Sequence, residues 1–524
     1  MSGSLDDLIR ALSDPSVYPH KPQSVRVLQT HISVVFIADD LVYKIKKPVN
    51  FGFLDFTTLE KRRFFCQQEV VLNSRFSKDL YLGVVAIYED PSGVNLLGDG
   101  AEIEAAVLMR RVHESQTMQK MLEDERITPE ILDRIADRLA YFHSQAATST
   151  EITSFGSSEV IFHNLRENFE QTKPYIGRTI KDRTHEEVSR LAMSFLEAHK
   201  GLFQQRMRQG FIRDCHGDLH LDHVVIVDGI MLYDCIEFND RFRYGDTASD
   251  LAFLLMDLDF RGYPAFSERI SKRYAASSGD RAILQLLPFY KSYRAFVRGK
   301  VLGFTLDEPE VSSQEKESAR AMAGDYFRLA LAYFRPPPPP ALIIMSGLMG
   351  TGKSYLAKRL GTRLGIEPFR SDEVRKEVHG LPTTEHRLDK YGQGIYRPDA
   401  TERTYKAILA EARQRLRRRE SVILDASFMQ FRYRMAAREL ASGTKATFSL
   451  VECVCPDETI RQRVEARRKD KKEPSDATWE IFPDQKARFE PIRVEEQGDH
   501  RVWDSTADVD AFLGSLVRDL MYPE

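Results

Sequence analysis

Gly347-Leu348-Met349-Gly350-Thr351-Gly352-Lys353-Ser354 decides the reading of the second half of this 524-residue chain. Glycines at these spacings let a backbone turn tightly enough for successive N–H groups to encircle a polyphosphate. Lys353 then supplies a point charge to the terminal oxygens, and Ser354 offers a hydroxyl to Mg²⁺. Such a loop needs a strand before it and a helix after it. Ala341-Leu342-Ile343-Ile344-Met345-Ser346 reads as a buried strand, and Tyr355-Leu356-Ala357-Lys358-Arg359-Leu360 has a helical pattern. The stretch therefore predicts a nucleoside triphosphate site in which Gly347, Gly350, Thr351, Gly352, Lys353 and Ser354 hold the phosphates.

Downstream, β-rich apolar runs recur at Ser421-Val422-Ile423-Leu424-Asp425, across Ala446 to Val454 and at Arg501-Val502-Trp503, with helical patterns between them. That alternation predicts an α/β doubly wound parallel sheet, whose ligands sit at the carboxyl ends of the strands. Asp425 falls at such an end, where a carboxylate can orient Mg²⁺ directly or through Ser354; it would otherwise cap the next turn. In Phe369-Arg370-Ser371-Asp372-Glu373-Val374-Arg375 an acid and a base three apart share one side of a helix start. Asp372 is placed to take a hydroxyl proton and Arg375 to hold a polar or anionic substrate group, the alternative being a capping aspartate on an amphipathic helix. Arg461-Gln462-Arg463-Val464-Glu465-Ala466-Arg467-Arg468-Lys469 puts Arg463 and Arg467 one helical turn apart, either as a solvated basic face or as charges set against a transferring phosphoryl group.

Upstream, Pro336 to Pro340 form a run that cannot continue a helix and favours a stiff polyproline II spacer, about 15 Å long if fully extended. It divides the chain into residues 1–335, the spacer 336–340 and residues 341–524. The second part has a net charge of +3 and the first −6, too little to announce a nucleic-acid partner. Hydrophobic content of 42% against 29% charged residues is that of a globular protein, no apolar run approaches a bilayer span, and a cytoplasmic location is expected. Five cysteines without a C-x-x-C pair argue against a disulfide framework and a structural zinc site, and read as core thiols.

Residues 341–524 resemble the P-loop kinases that include the kinase half of polynucleotide kinase, zeta toxins, and gluconate and shikimate kinases. The likeness rests on the phosphate loop, on Ser371-Asp372-Glu373-Val374-Arg375, on Val422 to Phe428 with Arg432 and Arg434 after it, and on a lid ending Pro474-Ser475-Asp476-Ala477. It implies Asp372 as catalytic base, Arg375 as substrate ligand, and Arg463 and Arg467 as lid residues.

In the first part, Asp214-Cys215-His216-Gly217-Asp218-Leu219-His220-Leu221-Asp222-His223-Val224 and Met231-Leu232-Tyr233-Asp234-Cys235-Ile236-Glu237-Phe238 resemble the catalytic region of aminoglycoside phosphotransferases, written H-G-D-x-x-x-x-N with a metal-binding aspartate some sixteen residues later. The resemblance implies a protein-kinase-like bilobal fold, Asp218 as proton acceptor and Asp234 as a Mg²⁺ ligand. His223 stands where the family has its second metal-binding residue, an asparagine. The ATP lysine would be Lys44 of Leu41-Val42-Tyr43-Lys44-Ile45-Lys46-Lys47, paired with Glu69, although alternation puts Lys44 and Lys46 on one strand face. Thr30 to Phe36 occupy the place of a glycine-rich loop.

The whole chain is similar to a bacterial arrangement in which a phosphotransferase-like domain is fused to a P-loop kinase. The function implied is an ATP- and Mg²⁺-dependent phosphotransferase acting on a hydroxyl-bearing small molecule or nucleic-acid end, with no membrane partner and the oligomeric state open. Two other readings stand beside it. Asp372, Arg375 and the basic run Arg413-Gln414-Arg415-Leu416-Arg417-Arg418-Arg419 permit a polynucleotide 5′-hydroxyl kinase. His223 favours a regulatory ATPase switch with an N-terminal pseudokinase sensor.

Overall fold

The computed structural model of the chain describes residues 4–98, 100–380, 397–467 and 479–523. They group into two compact units, Met1–Leu258 with Ser267–Phe334, and Asp259–Phe266 with Arg335–Glu524.

The first unit opens with a six-stranded antiparallel sheet. Its strands are β1 (Val25–Gln29), β2 (Ser33–Ala38), β3 (Leu41–Lys46), β4 (Tyr81–Asp90), β5 (Gly93–Asn95) and β6 (Ala101–Arg110), in the order β1-β2-β3-β6-β4-β5. Because side chains alternate along a strand, Tyr43 and Ile45 of β3 join the core with Val34 and Phe36, whereas Val42 packs on the other face with Cys66 and Val107. The helix Leu59–Asn73 is capped by the Thr58 hydroxyl, which accepts from Lys61 N, and it buries Arg62, Cys66, Glu69 and Asn73. Those positions recur every three or four residues, so they form one stripe. That stripe delivers Glu69 to the same face as Lys44 and Lys46.

Helices dominate the remainder of the unit, among them Pro129–Gln145, Ser158–Thr172, Asp182–Ala198, Thr247–Phe260, Ile283–Phe304 and Ser313–Ala332. Two short antiparallel ladders carry the chemistry-bearing segment. β7 (Ile212–Asp214) pairs with β10 (Tyr244–Asp246), and β8 (Val224–Val227) pairs with β9 (Gly229–Leu232). A sheet lobe followed by a helical lobe is the bilobal kinase-like arrangement expected from the sequence.

The second unit contains a fully parallel sheet of β11 (Ala341–Ser346), β12 (Phe369–Arg370), β13 (Val422–Asp425), β14 (Thr447–Val454) and β15 (His500–Asp504), ordered β12-β13-β11-β14-β15. All six residues of β11 are buried. Leu342 and Ile344 face a core completed by Tyr405, Ile408 and Ala437, while Ala341, Ile343 and Met345 face another completed by Leu356, Leu360 and Leu513. A strand apolar on both faces is what helices on both sides of a parallel sheet require. The runs expected at 341, 421, 446 and 501 are strands; the two-residue β12 has too little sequence to announce itself.

Arg434, quoted above beside Asp425, is a structural residue. Only 1% exposed, it donates from Nε to Oε1 of Glu496 at 2.6 Å, from Nη2 to Oε2 at 3.0 Å, and from Nη1 to the carbonyls of Phe428 and Met429 at 3.1 Å each. It thereby ties the segment after β13 to the one before β15. All five cysteines are unpaired and four are buried. Among the described residues, no helix is long and apolar enough to cross a membrane.

Removing Arg434 leaves the buried Glu496 carboxylate without its cation, so Arg434→Ala should destabilise the second unit by about 3–5 kcal/mol. Chemical denaturation followed at Trp503, which lies in this unit's core, should show the corresponding drop in midpoint; an unchanged midpoint would mean that the pair contributes nothing.

Candidate functional site

At the carboxyl edge of the parallel sheet three strand ends come together. Arg370 at the end of β12 is in register with Asp425 at the end of β13, and Ile344 of β11 with Leu424. From β12 the chain passes directly into the helix Ser371–Val378, which puts Asp372 in its first turn. From β11 it passes into the phosphate loop and the helix Lys353–Leu364. Asp372, Asp425, Lys353 and Ser354 therefore share one edge, as the strand order dictates.

The loop's shape explains its glycines. Gly347 has φ +135°, and a Cβ there would stand 2.4 Å from the Cys453 carbonyl oxygen, so no other residue fits against β14. Its N–H donates to the Ser427 carbonyl at 3.1 Å. Thr351, buried, donates from Oγ1 to Leu348 O at 2.8 Å, and Lys353 Nζ donates to the same carbonyl at 2.7 Å, which keeps the ammonium folded over the loop. Asp425 is 6% exposed. Burial pushes its carboxyl up, against the pull of the Ser354 hydroxyl bonded to it and of the Lys353 and Arg370 charges. A serine hydroxyl joined to a buried carboxylate at the mouth of a phosphate loop is an all-oxygen donor pair, and it fits Mg²⁺. Asp372 is about one-third exposed and accepts from Arg375 Nη1 at 3.2 Å.

Arg463 braces the loop from the side. Its Nη1 donates to Ser505 Oγ at 2.6 Å and reaches Gly350 O at 3.5 Å, while Nη2 donates to Ser505 O at 3.2 Å. Arg467 ends the helix Asp457–Arg467; its side chain and the segment Pro474 to Ala477 lie outside the described residues. The basic run at 413–419 closes the helix Pro398–Arg417 and leads into the amino end of β13. It sits at the sheet edge opposite to the phosphate loop. Arg370 is the residue that sequence reasoning missed here, since only strand register places it 3.7 Å from Asp425.

In the first unit the predicted residues also converge. Lys44 Nζ donates to Glu69 Oε1 at 2.9 Å and to Asp234 Oδ1 at 2.6 Å. Lys46 matches it, donating to Glu69 Oε2 at 2.9 Å and to Glu237. Both lysines that alternation placed on one face thus meet the same carboxylate. Burial opposes the charge of Lys44, but Asp234 and Glu69 raise its pKa well above the ordinary lysine value. Asp234 adopts φ +60°, a conformation that costs a non-glycine residue free energy. Its N–H donates to the Tyr81 hydroxyl at 3.1 Å, and the next amide, of Cys235, donates to Asn73 Oδ1 at 2.9 Å.

The loop bearing Asp218 hangs from Asp250, whose two oxygens accept from the N–H groups of His216 at 3.0 Å and Gly217 at 2.9 Å, with His143 Nε2 at 3.1 Å. Burial works against the Asp250 charge, yet His143 and the amides hold its carboxyl well below the usual range. Asp250 lies in the helix Thr247–Phe260, and only the fold brings it to this loop as an anchor. The β1–β2 turn, where a glycine-rich loop was sought, is closed by Thr30 N donating to Ser33 O at 2.9 Å.

His223 Nδ1 lies 2.7 Å from the Asp218 carbonyl oxygen, which can only accept, so this nitrogen carries the proton. Its Nε2 then offers a lone pair 3.6 Å from Asp234 Oδ2. His220, not foreseen, has Nε2 3.6 Å from Asp218 Oδ2, and its ring centroid is 3.9 Å from that of His223. Two imidazoles between two carboxylates do not fit an ion that wants oxygen alone, and Mg²⁺ is poorly served by this donor set.

Residues 342–492 match the family model described as AAA domain, and residues 83–287 the one described as phosphotransferase enzyme family. A protein of Mycobacterium tuberculosis described as uncharacterised is 32% identical over 458 residues, covering 87% of this chain and 88% of that one. Among solved structures, a choline/ethanolamine kinase family protein from Mesorhizobium loti covers 63% of this chain and 99% of its own at 15% identity with a TM-score of 0.37. A gluconokinase from Sinorhizobium meliloti covers 35% and 97% at 21% identity with a TM-score of 0.24.

Asp250→Ala should leave two buried N–H groups and His143 without their acceptor, at a cost of about 1–3 kcal/mol for each stranded group. Hydrogen exchange at Gly217 should accelerate by at least about tenfold while exchange at Ile343 stays unchanged; protection retained at Gly217 would show that the loop is held by other means.

Proposed function

Because the chain belongs to the family of this mycobacterial protein and joins a phosphotransferase-family domain to a P-loop domain, we propose that it is an ATP-dependent phosphotransferase whose second unit transfers the γ-phosphoryl group to a hydroxyl acceptor. One observation carries this reading: the phosphate loop, Asp372 and Asp425 occupy the same carboxyl edge of one parallel sheet. The glycine loop and Lys353 hold the triphosphate in line. Asp372 takes the proton of the acceptor hydroxyl as its oxygen bonds to the γ-phosphorus and the bond to the β–γ bridging oxygen breaks. Arg375, which donates to Asp372, orients that carboxylate and would hold a polar group of the acceptor. Ser354 and Asp425 would hold Mg²⁺, which when bound neutralises phosphate charge. Arg463 fixes the loop through Gly350 and Ser505. The acceptor is a hydroxyl-bearing small molecule; the position of the 413–419 run at the far edge removes the support that it lent to a polynucleotide end.

A second reading is favoured by the histidines beside Asp218. In it the chain is a regulatory ATPase whose first unit senses nucleotide without transferring phosphate. ATP turnover with and without a panel of hydroxyl acceptors separates the two, since only a transferase is stimulated by its acceptor.

Lys353→Ala should lower turnover by about 10²-fold or more, because its charge serves the transition state. Asp372→Asn should spare ATP binding and cut acceptor phosphorylation by about 10²- to 10⁴-fold; an unchanged rate would reduce Asp372 to a helix cap. Against the same acceptor, Asp372→Ala should cost more than Asp218→Ala, and the reverse order would make the first unit the principal catalyst.

A further inference from the structure

We propose that Asp218, His220, His223 and Asp234 form a binding site for a divalent transition ion of the zinc, manganese or iron class, taken in preference to Mg²⁺. This goes beyond phosphotransfer by the second unit and stands or falls independently of it. Donor atoms of Asp218, His220 and His223 lie within 4.8 Å of one another, and the cluster is one of two such groups among the described residues. The separations of 3.6 Å between His220 Nε2 and Asp218 Oδ2, and between His223 Nε2 and Asp234 Oδ2, are close to those of ligands sharing one ion with bonds of about 2.0–2.2 Å.

Orientation adds to distance. Imidazoles that bind metals donate their other ring nitrogen to a carbonyl or carboxylate, which fixes the tautomer. His223 does so through Nδ1 to the Asp218 carbonyl at 2.7 Å, leaving Nε2 for the ion. The Asp218 and Asp234 side chains keep 36% and 39% of their surface exposed, so an ion can reach them. Mixed nitrogen and oxygen donors favour borderline ions, with affinity rising along the divalent series, whereas Mg²⁺ keeps oxygen ligands and water. The other group, His143, Cys215 and Asp250, is spent internally: Asp250 accepts from two amides and His143, and burial pushes the Cys215 thiol up, away from the thiolate that a metal needs.

The test uses the full chain freed of metal. Co²⁺, an optical probe for this ion class, should bind the wild type at one equivalent with visible ligand-field bands, be displaced by Zn²⁺, and resist an equal concentration of Mg²⁺. His223→Asn and His220→Ala should each weaken Co²⁺ binding by at least about 10-fold, and Cys215→Ser should leave it unchanged. Independently of any variant, the electron spin echo of Mn²⁺ bound to the wild type should show imidazole nitrogen couplings. The proposal is overturned if Mg²⁺ displaces Co²⁺ at equal concentration, if both histidine variants bind Co²⁺ as the wild type does, if Cys215→Ser abolishes the bands, or if Mn²⁺ shows no nitrogen coupling.

Discussion

A carboxylate with no exposed surface stays charged only where cations meet it, and Glu69 meets two. Lys44 and Lys46 each donate to one of its oxygens at 2.9 Å, and each reaches on to a second carboxylate, Asp234 or Glu237. The result is a chain of alternating charge, Asp234–Lys44–Glu69–Lys46–Glu237, that links β3, the helix Leu59–Asn73 and the segment after β9. Burial raises the energy of Glu69, Lys46 and Glu237, and removing Lys44 or Lys46 would leave Glu69 with a single cation. A sheet residue, a helix residue and a loop residue are thus held in one geometry by electrostatics. Arg206 does similar work with Asp246 and Asp280, and Arg434 with Glu496, all of them buried.

The parts of this organisation that were legible in the sequence are those set by local pattern. Five consecutive apolar residues, Ala341 to Met345, before a glycine loop announce a doubly covered strand, and the loop's spacing names its phosphate ligands. Alternation in β3 put Lys44 and Lys46 on one face, but choosing one of them as the partner of Glu69 was a choice that the fold does not make. What remained hidden depends on pairing across distance. Arg370 comes beside Asp425 only through parallel register between β12 and β13. Asp250 becomes an anchor because the helix Thr247–Phe260 starts where the loop at 214–218 needs an acceptor. Arg434 owes its structural place to Glu496, far along the chain, a pairing that local sequence does not show.

The two centres also differ in the donors that they gather. The second unit sets serine and aspartate beside a phosphate loop, all oxygen. The first sets two imidazoles between two aspartates, with a lysine already bonded to one of them. That lysine matters: an ion at Asp234 has to share the carboxylate with Lys44, or take it over by using the oxygen that Lys44 leaves.

The order of strands in the second unit bears on how the chain is made. β11 is the first of them to leave the ribosome, yet its partners are β13, through Leu342 and Val422, and β14, through Ala341 and Thr447. Throughout translation of the intervening segment its five apolar residues have no neighbour strand, and the wall that Gly347 leans on, the Cys453 carbonyl, has not been synthesised. Parallel pairing of this kind is slow and leaves nascent apolar surface exposed. The phosphate loop is therefore among the last parts of its unit to take shape, and a polypeptide released before Val454 carries the complete motif without the pocket.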